Sequence, residues 1–201
     1  AFNVHPPDQQ NGDYQGWGEG RKGPQASSRP IGQAMEIASI SGSGPYTVTF
    51  TTPFHMTYRT SRSAHIARLS AGVGSQREWV GIEDLTVTDG GGGDDGGPIS
   101  FSIAKYSWAK NVESTRSSAS AILFKSAVRC VLRDSYIHST TVPSPGGGGY
   151  GIAVDSYSAD NLVENNIVWN FNKVMVMRSS GGGNVIGYNY MEDGWGEGYP
   201  T

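Results

Sequence analysis

Four charged residues recur at one position of a repeat: Glu83 in VGIEDLTVT, Lys110 in WAKNVESTR, Arg133 in CVLRDSYIH and Glu164 in NLVENNIVW, with Gly187 at the same place in NVIGYNYME. If the five share an outer face, neighbouring members lie about 4.8 Å apart, one strand spacing. Such a line could work on an acidic polysaccharide. Lys110 and Arg133 would hold a uronate carboxylate while Glu83 or Glu164 acts as base or metal ligand. The plainer reading of the same residues is an exposed ladder of ion pairs, each worth about 0.2–1 kcal/mol.

Beside this line runs a second one, Asp84, Asn111, Asp134, Asn165 and Tyr188. Stacked Asp and Asn can offer oxygen ligands to a hard cation such as Ca²⁺. They can equally satisfy backbone donors at a bend. A third line holds Thr88, Thr115, His138, Trp169 and Glu192, with Tyr136 and Tyr190 two residues before His138 and Glu192. Exposed aromatics suit sugar binding, because ring C–H faces stack on them and hydroxyls find polar neighbours. The alternative is a set of rings packed under loops.

Asp94 and Asp95, within GGGGDDGG, form the sharpest acidic pair of the chain. Paired carboxylates can hydrolyse glycosidic bonds, but consecutive residues on a glycine loop are poorly held for catalysis. Solvation or weak Ca²⁺ binding is the expectation there. The one cysteine, Cys130, begins a strand with no evident His partner, which reads as a buried thiol. GGGGYG at 146–151 is followed by no Lys-Ser/Thr and no helical pattern, so it is not a phosphate loop.

These lines exist only if the chain is a stack of coils. Laid under one another, the five segments put Ile82, Ala109, Leu132, Val163 and Ile186 in one column, at spacings of 27, 23, 31 and 23 residues. A period of 20–30 residues built of short strands marks a solenoid. A second alternation precedes each of the last four segments: ISFSI, AILF, GIAV and VMVM. Three residues after the first column come Leu85, Val112, Ser135, Asn166 and Asn189, then Val87, Ser114, Ile137, Val168 and Met191 two further on. The columns read apolar, bend, mostly apolar, with the bend amides forming an internal ladder. A β-sandwich explains the strands but not this register.

The expectation is therefore an all-β, right-handed parallel β-helix of about five coils over residues 79–201, preceded by a segment 1–78 that departs from the repeat. In that segment MEIASIS, GSGP and YTVTFTTPF read as a hairpin, suited to capping the stack or lying against it as a flap. The loops 90–97 and 140–149 leave the same corner, and insertions on one side of a solenoid commonly build its working face. After YMEDGWGEGYPT no cap is evident, which points to further coils or an oligomer partner at the C-terminal end. GWGEG occurs twice, at 16–20 and 194–198; each copy reads as a glycine turn with a Trp plug, or as half of a sugar site.

Composition bounds the function. The 201 residues carry a net charge of −3 with Lys and Arg scattered, which argues against a nucleic-acid partner. No apolar run approaches the roughly 18–20 residues of a membrane span, and no charged-then-apolar leader opens the chain. A single cysteine excludes an internal disulfide framework.

At CVLRDSYIH, NLVENNIVW and NVIGYNYME the chain resembles the pectate-lyase-like superfamily of parallel β-helix proteins, with its secreted bacterial and phage-associated members the most similar. The resemblance implies the fold and an extracellular setting. The WIDH-like and R-x-P-like patterns of pectate lyases are absent, so no catalytic residue carries over. The leading expectation is an extracellular module that binds polysaccharide through its loop-bearing face. The alternatives are a polysaccharide lyase or glycoside hydrolase using Glu83, Lys110, Arg133 and Glu164, and a passive shaft of a surface or phage fibre.

Overall fold

The structure, a computed structural model, describes residues 2–4, 31–58, 60, 64–66, 76–88, 97–142 and 148–194. Both GWGEG copies, except Gly194, and the pair Asp94 and Asp95 lie outside the described residues.

Five coils stack as a parallel β-solenoid. One side of each coil is a bent strand or strand pair: Gly81–Thr88, Trp108–Thr115, Val131–Arg133 with Tyr136–His138, Leu162–Glu164 with Ile167–Phe171, and Val185–Gly187 with Tyr190–Gly194. All of these pair in parallel. A second parallel sheet joins Ile99–Ser102, Ser120–Lys125, Tyr150–Asp155 and Lys173–Arg178. A short third side pairs Arg77–Glu78 with Ala104–Lys105 and continues through bridges at Val128 and Ala159.

The register is the one the sequence columns demand. Ala109 pairs Ile82 and Leu132, Val163 pairs Leu132 and Ile186, and Ile137 pairs Ser114 and Val168. These residues face Ile99, Phe101, Ile122, Phe124, Ile152 and Val154 of the second sheet across one continuous core. Phe101 and Phe124 stack there at 4.7 Å. At the last coil Val174, Met175, Ile186 and Met191 are only partly buried.

The coils turn through left-handed corner residues. Among the described residues, eighteen non-glycine residues have positive φ, and seventeen of them fall into four columns that repeat from coil to coil. One column is Asp84, Asn111, Asp134, Asn165 and Tyr188; Asp and Asn tolerate this conformation best, because their short polar side chains bond locally. Another is Trp79, Tyr106, Arg129 and Asp160, completed by Gly183. Nothing about Trp, Tyr or Arg favours the left-handed region, so the stack imposes it through bonds such as Trp79 N–H to Lys105 O and Tyr106 N–H to Val128 O.

The residue after each of these two corners turns its N–H toward a side chain of the next coil. Val112 N–H donates to Ser135 Oγ, Ser135 N–H to Asn166 Oδ1, and Asn166 N–H to Asn189 Oδ1, at 3.0–3.2 Å. This is the expected bend ladder, with Asn166 buried and Asn189 partly so. A second ladder, at the other corner, runs from Val80 to Ser107 and from Cys130 through Asn161 to Asn184. Cys130 occupies a place in it, and burial pushes its thiol up to about 11.

The expected hairpin is present as Ile37–Ser41 paired with Thr47–Phe50. Its flanks run along the side of the stack. Ala34 N–H donates to Tyr157 O, Glu36 accepts from Lys105 and Tyr106, and His55 meets Asp160 at 2.6 Å. The described residues 31–58 thus run as a lateral strap across the corner that holds Tyr106, Asp160 and Gly183. A Cβ on Gly182 would come within 2.2 Å of His55 Cβ, so the strap approaches closely only because that position is glycine.

Candidate functional site

Along the bent sheet the alternation in–out is broken by the left-handed corner, which sends two consecutive residues outward. Ile82 points into the core, Glu83 and Asp84 point out, and Thr86 follows beyond the bend. Stacked over five coils, this bend is a shallow groove of about 690 Å³. One wall is the corner column from Asp84 to Tyr188, and the other is Thr86, Glu113, Tyr136, Ile167 and Tyr190.

The polar wall is partly self-paired. Asn111 donates to Asp84 Oδ1 at 2.6 Å and Asn165 donates to Asp134 Oδ1 at 2.7 Å. The other wall carries Tyr136 and Tyr190, 39 and 58% exposed, and Tyr188 at the end of the corner column opposite is 92% exposed. Tyr190 donates to Glu192 at 2.6 Å, and this bond raises the phenol's pKa, so it stays a donor.

His138 and Trp169 stand one outward position beyond the groove, in register on neighbouring strands. The imidazole is sandwiched: its centroid lies 4.2 Å from Tyr136 and 5.7 Å from Trp169. Trp169 Nε1 donates to Tyr136 Oη at 2.8 Å. His138 Nε2 meets Glu113 Oε1 at 3.0 Å, and Nδ1 lies 2.9 Å from Ser139 Oγ. A carboxylate only accepts, so Nε2 carries the hydrogen of the bond to Glu113.

The bond from His138, followed by that from Thr86, holds Glu113 below the usual carboxylate range. Asn165, then Arg133, lowers Asp134 in the same way. Both are ionised at neutral pH.

Glu83, Lys110, Arg133 and Glu164 do share one outer face in successive coils. They lie on the far side of the corner column and line no part of the groove. Arg133 is held by Asp134 at 3.0 Å and Glu164 at 3.5 Å, while Glu83 accepts from Trp108 Nε1 at 2.6 Å. These are the contacts of an exposed ladder. Among the described residues, no three His, Cys, Asp or Glu side chains cluster closely enough to hold a metal ion.

Of the residues expected to bind sugar, Tyr136 and Tyr190 line the groove and His138 with Trp169 backs it. Glu113 and Ile167 were missed. Each lies in the Tyr136 column at the repeat spacing, so extending that column by one coil in either direction finds them.

Fold and groove together define a parallel β-solenoid with an acidic and aromatic groove along its bent side. Comparison with protein-family models, curated proteins and solved structures finds no match for the chain.

Proposed function

We propose that the protein is an extracellular β-helix module of the pectate-lyase-like superfamily that binds polysaccharide along its bent face. The observation that carries this reading is the in-register placement of Tyr136 and Tyr190, with Tyr188 opposite, in a groove that runs along the stack beside a rail of Asp and Asn. A linear glycan lying along the stack meets a new set of side chains every ~4.8 Å, with the Tyr136 and Tyr190 rings two coils apart on one wall and hydrogen-bonding oxygens on the other. The Tyr136, His138 and Trp169 rings brace one another, so little side-chain entropy is lost on binding.

Titration calorimetry against a panel of soluble polysaccharides tests the reading, with saturable binding to at least one as the expected result. Failure of every polymer to bind would leave a structural shaft. Appearance of unsaturated uronates or new reducing ends would replace the binding module with an enzyme.

A further inference from the structure

We propose that the groove selects uncharged glycans and rejects polyuronates, an inference that rests on reading the groove as a polysaccharide site. Asp84, Glu113 and Asp134 present carboxylates to it from three successive coils, and among the described residues that line it there is no Lys or Arg. Lys110 and Arg133 stand across the corner column, and Arg133 is already shared by Asp134 and Glu164. A polyuronate laid along the stack would therefore bring a row of carboxylates against a row of carboxylates.

For hydroxyl groups the same wall is favourable. Each carboxylate has about four acceptor positions. Asp84 gives one to Asn111, Glu113 one each to Thr86 and His138, and Asp134 one each to Asn165 and Arg133. The remaining lone pairs accept from sugar hydroxyls, which are donors without charge. Like-charge juxtaposition suppresses wrong partners more than it changes the affinity for the right one. The discrimination is electrostatic at an open surface, so salt must erode it.

The test measures the full chain against uncharged glucan, mannan, xylan and galactan, and against polygalacturonate and alginate, at low and high salt. We expect at least one uncharged polymer to bind, with the polyuronates at least about tenfold weaker at low salt and the gap narrowing as salt is added. The double variant Asp84→Asn, Asp134→Asn should raise polyuronate affinity by about tenfold. It should keep the fold, because Asn already occupies this left-handed column at Asn111 and Asn165. Polyuronate binding as tight as, or tighter than, the best uncharged polymer overturns the selectivity while leaving the polysaccharide reading intact. No binding to any polymer overturns both.

Discussion

The indole of Trp169 and the imidazole of His138 lie within 7° of parallel on neighbouring coils, and the indole N–H reaches past the imidazole to the phenol oxygen of Tyr136. Trp169 therefore acts on the groove through Tyr136, which it fixes in place. Trp169→Phe keeps a ring over His138 but loses the N–H. Glycan affinity should fall modestly, about two- to fivefold for one partly exposed hydrogen bond, with the melting temperature nearly unchanged. Calorimetry of the variant beside the wild type checks this.

Tyr190 is more exposed than Tyr136, and its ring is free of the three-ring stack. Tyr190→Ala should weaken glycan binding by about 1–3 kcal/mol, the scale of base stacking on aromatics. Circular dichroism should show the fold intact. An unchanged affinity would remove the aromatic wall from the site.

Asn166 is 1% exposed; it accepts from Ser135 N–H and donates to Leu132 O and to Asn189. Asn166→Ala removes the partner of Ser135 N–H and the side-chain donor to Leu132 O, which lies in the parallel ladder with Leu162–Glu164. An orphaned buried N–H costs about 1–3 kcal/mol. Chemical denaturation should show that loss; a variant as stable as the wild type would show that water replaces the amide.

Glu36 ties the strap to Lys105 and Tyr106, and the Lys105 bond, then the Tyr106 bond, hold its carboxyl below its ordinary value of 4.5. A carboxyl depressed in the folded state contributes stability that is complete above 4.5 and is lost as pH falls through the lower folded value. Lys105 is raised, first by Glu36 and then by Glu78, so its share is complete below 10.5 and is lost only as pH rises through the higher folded value. Melting temperatures of the wild type and Glu36→Gln should differ at neutral pH and converge in acid.

Gly183 has φ +75°, and a Cβ there would sit 2.1 Å from Asp160 Oδ1 and 2.5 Å from His55 Nε2. Gly183→Ala should cost about 1–3 kcal/mol from the left-handed backbone alone and part His55 from Asp160. A changed chemical shift of the His55 ring, followed by NMR, would report the displaced strap.

The register of the coils was legible in the sequence because a solenoid repeats its environments: a residue buried at Leu132 is stacked on residues buried for the same reason at Ala109 and Val163. The Asn ladder was legible too, since a side-chain amide can accept from one coil and donate to another at once. Spacing alone also placed Glu83, Lys110, Arg133 and Glu164 on one face. What spacing could not show is which side of the corner encloses a groove. That depends on the left-handed φ of Asp84 and its column, and the neighbouring corner proves that residue type does not settle it, since Trp79, Tyr106 and Arg129 adopt the same φ. The His138–Glu113 bond and the strap on Tyr106, Asp160 and Gly183 are of the same kind. They join side chains 25 to 105 positions apart in the chain. Local pattern sets which residues face out from each coil; only the stacking of coils and the return of the strap decide which of those side chains meet.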